Sequence, residues 1–343
     1  MKKILSVLVP VYNTEKYIRR CLDSVLLSPI LKDIEVIVVS DGSKDSSIDI
    51  IKNEYLSKYN ETIVLVEKEN GGHGSTINKG LEVATGKYFK VLDSDDWVNS
   101  IDFIEFVKRL KKEDADLVVT NYSQQHVYNQ SEMIFRYRGL NENVLYNFDK
   151  IDLGILYGEY FMLATSTYKL EVLKKGNVNL FEKTFYVDMQ YNIQAITKVK
   201  TFTYYDLDIY RYYIGRKEQS TNVNSLVKNK MHHEKVMKYL LEYYVINKNK
   251  MSKNKDKYVR QIIIYMLFTH YTIFCSYDRD YDDAYKKIKD FDEYFKSLDL
   301  SLYNEMNKMS LIKANRKTKF KCINTKLKFK KKFFNVFYKI IGR

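Results

Sequence analysis

A chain of 343 residues is long enough for one large core domain with an appendage. Its three cysteines, Cys21, Cys275 and Cys322, form no CxxC pair, which excludes a disulfide framework and a cysteine zinc site and points to a reducing compartment. The net charge of +14 is not spread over the fold: residues 306–343 hold 13 Lys and Arg and no acid, leaving 44 basic against 43 acidic side chains before them, a balance that argues against a nucleic-acid groove.

The apolar run from Ile4 to Val9 is too short for a signal peptide and ends at Pro10. The longest apolar run, Ile262 to Phe268, falls well short of the ~20 residues of a membrane span, so the expectation is a cytosolic chain. Strand and helix patterns alternate through the first third. Strands are expected at 4–9, 35–39, 63–66, 88–92 and 116–120, and helices at 16–27, 46–59, 75–84 and 102–111. Strands that are apolar throughout, separated by helices, imply an α/β fold with a mostly parallel sheet and helices on both faces. Ligands of such sheets bind beyond the carboxyl ends of the strands.

Polar stretches stand at those ends. Val9-Pro10-Val11-Tyr12-Asn13-Thr14-Glu15 follows the first strand and Val39-Ser40-Asp41-Gly42-Ser43-Lys44-Asp45 the second. The strand ending at Leu92 runs into Asp93-Ser94-Asp95-Asp96, three carboxylates in four residues. Clustered acids at a strand end suit a divalent cation, which wants several oxygen ligands, although the same residues would also serve as caps for the next helix. Asn70-Gly71-Gly72-His73-Gly74-Ser75 is a glycine-rich turn entering a helix, which lets backbone approach a ligand closely. It is neither a Walker A loop nor a dinucleotide fingerprint.

In order and spacing, V-P-V-Y-N at 9–13, V-S-D-G-S-K-D at 39–45, N-G-G-H-G-S-T-I-N-K-G at 70–80 and V-L-D-S-D-D-W at 91–97 resemble the motifs of family 2 glycosyltransferases with the GT-A fold, over about residues 4–122. The resemblance implies a nucleotide-sugar donor, with UDP and a hexose or N-acetylhexosamine expected, and Mn2+ or Mg2+ as cofactor. It implies that Pro10, Tyr12, Glu15 and Asp41 contact the nucleoside, with Ser43 and, in the glycine segment, Asn70, Gly72, His73 and Asn78 as further donor-binding residues. Asp93 and Ser94 would lie on the ribose side, and Asp95 on the metal. Many relatives carry an arginine before the asparagine of the third motif; here Ile77 precedes Asn78, and His73 is the nearby polar candidate.

Residues 123–222 are the expected acceptor part, with a hairpin over 124–137 and a helix over 146–157. Asp188 opens an amphipathic helix, where an acid offsets the helix dipole. It also resembles the aspartate of the family's E-D motif, the general base, with Val187 in place of the glutamate. After a strand near 201–207, Arg211 and Arg216 stand in a tyrosine-rich segment resembling the family's donor-closing loop, where a guanidinium would suit phosphate oxygens. The pattern is helical over 223–315, with helices expected at 226–245, 258–274 and 281–298. From 316 to 343, Phe320, Ile323, Leu327, Phe334, Phe337 and Ile341 fall at helical intervals among lysines, as in a helix lying on an anionic membrane surface; a solvated or partner-bound helix has the same pattern.

The expected organisation is therefore a transferase domain over 1–222, divided at 122 into donor and acceptor parts, a helical region over 223–315 and a basic tail over 316–343. The expected function is an inverting glycosyltransferase acting on a lipid-linked or growing surface glycan at the inner face of a membrane, with no nucleic-acid partner. A nucleotidyltransferase would also want a metal at a strand end, but no glycine-rich, lysine-bearing phosphate loop follows the first strand. A nucleic-acid-binding protein would need its basic tail to act on RNA or DNA.

Overall fold

The computed structural model describes residues 2–128, 130–156, 158–215 and 222–321. Two compact units divide the chain, Met1–Arg216 and Lys217–Arg343. The first begins with β1 (Leu5–Val11), α1 (Ile18–Val25), β2 (Ile34–Asp41), α2 (Ser47–Ile50) continuing as a π-helical turn (Ile51–Leu56), β3 (Ile63–Lys68), α3 (His73–Val83) and β4 (Tyr88–Val91). Every residue of β1, β2 and β4 is buried, as strands covered on both faces must be. The four strands pair in parallel in the order β3-β2-β1-β4, with Leu5 between Ile34 and Tyr88.

Alternation along β1 assigns the two faces. Val7, Val9 and Val11 enter a core shared with Ile18, Leu22 and Val25 of α1. Leu8 points the other way, beneath α3, where a Cβ on Gly80 would stand 2.6 Å from Leu8 Cδ1. Helices α1 and α3 therefore cover opposite faces.

Beyond β4 the sheet becomes mixed. The unit continues with β5 (Trp97–Val98), α4 (Ser100–Leu110), β6 (Leu117–His126), β7 (Glu132–Phe135), β8 (Leu145–Asn147), β9 (Ser166–Lys169), α5 (Leu170–Lys175), α6 (Asp188–Ile196) and β10 (Thr201–Ile214). The order runs on as β4-β9-β6-β10-β5, with β7 on β6 and β8 on β10. Strand β9 is antiparallel to both β4 and β6, whereas β6 and β10 are parallel. The hairpin expected over 124–137 is β6–β7, closed by Tyr122 stacked on Phe135. The helix expected over 146–157 does not form. Leu145–Asn147 instead pairs with the start of β10, Tyr146 stacks on Phe202, and only a 3-10 turn, Leu153–Leu156, follows. Cross-strand aromatic packing outweighs the local helical pattern.

The second unit holds α7 (Val223–Lys228), α8 (Lys230–Asn247), α9 (Lys253–Thr272), α10 (Tyr281–Leu298), α11 (Leu300–Glu305) and α12 (Ser310–Lys317). Helix α12 ends where Lys319 and Phe320 take φ of 50° and 62°, so the continuous helix expected from Arg316 is not formed. Arg316 instead binds Asp292 Oδ1 at 2.8 Å and lies 3.5 Å over the Tyr303 ring. Phe320, expected on a lipid-facing stripe, is buried and stacked on Tyr271. An ion pair and an apolar pocket within the unit draw both residues inward. The remainder of the expected tail, 322–343, lies outside the described residues. Among the described residues, no helix is long and apolar enough to cross a membrane.

Candidate active site

The loops leaving β1 and β2 are neighbours because their strands are, and they are cross-linked. Asn13 Oδ1 accepts from Lys44 N at 2.8 Å, while Asn13 N donates to Ser43 Oγ at 3.2 Å. Thr14 N reaches Ser47 Oγ at 2.9 Å, Glu15 N reaches Asp45 Oδ2 at 2.9 Å, and Ser46 N donates to Glu15 Oε2 at 3.0 Å. Glu15, expected at the nucleoside, and Ser43, expected to bind the donor, thus join the two loops to each other. Pro10 is the buried penultimate residue of β1, and just beyond it Tyr12 is 48% exposed.

Asp41 ends β2 and is 3% exposed. Its Oδ1 accepts from Gly71 N at 2.8 Å and Lys68 Nζ at 3.0 Å, and its Oδ2 accepts from Gly72 N at 2.8 Å. Burial pushes its carboxyl up, but the Gly71 amide, Lys68 and the Gly72 amide together hold it below the ordinary carboxylate value. Asn70 Nδ2 bonds the Asp41 carbonyl at 3.0 Å. The second motif therefore anchors the third, with Lys68, which sequence reasoning had passed over, as the cation at the joint. Gly72 caps α3 at φ 81°, in the left-handed region that favours glycine.

The turn delivers His73 to the end of β4, where His73 Nε2 and Asp93 Oδ1 are 3.0 Å apart. Burial lowers the imidazole pKa, but the bond to Asp93 and the charges of Asp93, Asp188 and Asp95 raise it above the ordinary histidine value. His73 and Asp93 are thus in direct contact, and the charges of Asp95 and Asp188 act on the same imidazole. The three acids after β4 have different surroundings. Asp96 is buried, accepting from Tyr210 Oη at 2.6 Å and Tyr213 N at 2.8 Å. Ser94 is buried beside it, while Asp93 and Asp95 remain partly exposed. None of them caps α4; Asn99 does, accepting from Ile101 N and Asp102 N.

Asp188 is the first residue of α6. Burial raises its carboxyl pKa, opposed by His73 and by the amides of Asp188 and Met189, with Asp93 adding to the rise. A carboxylate held above its ordinary value but near a cation suits a general base working near neutrality. Asn78 bonds the backbone of Leu180 and is not turned towards Asp93 or Asp41 in any bond it makes. Arg211 is held within the sheet by Ser123 Oγ at 2.6 Å, Asp208 at 3.0 Å and Glu132. Arg216 lies outside the described residues.

The donor set tests whether a hard cation fits. Among the described residues no three His, Cys, Asp or Glu side chains converge on one point. Asp95, with Asp93 beside it, supplies oxygens of the right kind but too few, which fits an ion whose shell is completed by substrate phosphates and water.

A twisted α/β sheet whose strand ends gather a glycine turn, an acid pair and a helix-borne aspartate defines the GT-A class of fold. Residues 6–166 match the family model of glycosyl transferase family 2. The chain is 39% identical over 140 residues to the glycosyltransferase GlyA of Streptococcus pneumoniae, covering 40% of this chain and 19% of GlyA. It is 37% identical over 118 residues to a poly(ribitol-phosphate) beta-glucosyltransferase of Bacillus spizizenii, covering 34% of this chain and 18% of that protein. The match thus spans about a fifth of either relative's length. In fold it is similar to Staphylococcus aureus TarS, solved with UDP-GlcNAc, at a TM-score of 0.68 and 17% identity over 93% of this chain and 90% of that one.

Proposed function

We propose that the chain is an inverting glycosyltransferase that moves a hexose or N-acetylhexosamine from a UDP-sugar to a hydroxyl of a lipid-linked or growing surface glycan. The observation that carries the reading is the cluster of His73, Asp93, Asp95 and Asp188 beyond β4, fed by the glycine turn and the first two motif loops. A UDP-GlcNAc complex of a protein of the same fold supports the donor class, and a relative named for poly(ribitol-phosphate) supports a glycan acceptor.

The exposed Tyr12 offers a face to the base, placed there by the buried Pro10 two residues before it, and Asp41 fixes the turn that borders it. Asp93 serves the ribose side, with its carboxylate oriented by His73. Asp95 would hold Mn2+ or Mg2+, which when bound neutralises charge on the leaving diphosphate. Asp188 takes the acceptor's hydroxyl proton as that oxygen forms its bond to the sugar's anomeric carbon. The bond from that carbon to the diphosphate oxygen breaks, its electron pair leaving with UDP, and configuration inverts. The segment 322–343 would place the chain against anionic lipid, each lysine near such a surface contributing about 1 kcal/mol.

A thermal-shift comparison of UDP-, GDP- and TDP-sugars tests the donor. UDP-GlcNAc at a hundred times its Kd stabilises by about 2.7 kcal/mol, and is expected to do so only with Mn2+; equal shifts without metal, or in Asp95→Asn, refute the metal assignment. Asp188→Asn is expected to lower turnover at least about 100-fold with donor affinity unchanged. Retention of most turnover removes Asp188 as base. Flotation with phosphatidylglycerol vesicles, with and without residues 322–343, tests the membrane reading; equal recovery of both forms rejects it.

A further inference from the structure

The loop ahead of Asp188 is gripped from two sides. On the glycine-turn side, Leu180 N donates to Asn78 Oδ1 at 2.8 Å and Asn78 Nδ2 donates to Leu180 O at 2.9 Å, so the amide pairs with that backbone as a neighbouring strand would. One turn earlier on α3, Gly74 faces the same backbone, where a Cβ would meet Phe181 O at 2.3 Å. Lys183 N reaches Gly71 O at 2.5 Å, and a Cβ on Gly72 would lie 3.2 Å from Lys183 Cα. From the other side, Gln190 Oε1 accepts from Phe181 N at 3.1 Å and Gln190 Nε2 donates to Asn179 O at 3.0 Å. Gln194 closes a further pair with Asn179, at 3.0 and 3.2 Å. Both glutamines belong to α6, the helix that Asp188 opens.

Residues 179–183 therefore form a bonded bridge: one edge is bonded to the glycine turn and the helix that carry His73, the other to the helix that carries Asp188. Both ends of the Asn78 amide are engaged in it, although its motif suggested a donor contact.

We propose that Asn78 is a positioning residue, which sets Asp188 against the donor side of the site by clamping the 179–183 backbone and does not itself touch the nucleotide-sugar. The proposal rests on the transfer reading above for its kinetic consequence, while the clamp itself stands on the bonds alone. Hydrogen exchange of the free protein is the direct test. In Asn78→Ala, peptides covering 178–192 are expected to exchange at least ten-fold faster, with those covering 34–56 unchanged. Unchanged exchange at 178–192 overturns the clamp, and so does an equal rise throughout the first unit.

Kinetics use UDP-GlcNAc and Mn2+ with water as acceptor. Asn78→Ala is expected to lower the rate of UDP release ten-fold or more while donor Kd moves less than two-fold. A loss carried by Kd instead makes Asn78 a donor contact and overturns the proposal. In an Asp188→Asn background, Asn78→Ala should add no further loss, since residues acting as one unit are not additive; a full second loss overturns it. Gln190→Ala, which loosens the bridge from α6 without reaching the glycine turn, should reproduce the same split and serves if Asn78→Ala fails to fold. Failure of the unmodified protein to bind UDP-GlcNAc would instead remove the donor reading, with the exchange comparison still deciding the clamp.

Discussion

At the scale of single residues, the hydroxyl of Tyr210 illustrates how the acids after β4 are differentiated. It bonds Asp96 Oδ2 at 2.6 Å and accepts from Asp93 N at 3.3 Å. Burial, with Asp95 and Asp93 adding to it, pushes the Asp96 carboxyl well above its ordinary value, so this acid is committed to the interior. Tyr210→Phe would strip a buried polar group of its partner, at about 1–3 kcal/mol. The expected result is a melting temperature lower by several degrees and weaker binding of UDP-GlcNAc with Mn2+, read by calorimetry. Unaltered donor binding would show that Asp93 does not depend on this anchor. Motif spacing exposed Asp93, Asp95 and the glycine turn, because strand ends and left-handed turns leave local marks. It could not expose Tyr210 or Lys68, whose partners are fixed only when β10 is laid beside β5 and Asp41 beneath the turn.

At the scale of elements, the cap of α4 separates two roles that the sequence left overlapping. Asn99 takes the helix terminus, which leaves the preceding acids for other partners. Asn99→Ala should cost about 1 kcal/mol and lower the melting temperature by a few degrees while donor affinity stays unchanged. A parallel loss of affinity would mean that cap and site are one structure. The parallel strands β1–β4 were legible because continuous burial writes continuous apolar runs. The short strands β8 and β9 were not, since three or four residues carry little periodicity and pairing across the sheet decides their form.

Considered as a whole molecule, the second unit carries its own pH dependence. His233 and His270 are buried with their Nδ1 atoms 3.2 Å apart, so only one of the two nitrogens can carry a proton and the rings cannot both be charged. Burial lowers His233 to about 4, and burial with the charge of His233 and Lys238 also holds His270 well below the ordinary histidine value. The unfolded chain, with histidines near ~6.5, therefore binds protons that the folded one refuses. Stability is full above that value and lost as pH falls from ~6.5 towards 4. Melts between pH 7.5 and 5 should show this slope, and His270→Leu should flatten it; an unflattened slope assigns the effect elsewhere.

The bonded bridge at 179–183 also bears on how such proteins can be recombined. A graft that exchanges the acceptor half at residue 122 would cut the Asn78–Leu180 pair, leaving one partner in each parent, and would set an unmatched side chain against Gly74. Chimeras intended to change the acceptor should carry 70–80 and 178–194 from the same parent, even though about a hundred residues of sequence lie between them.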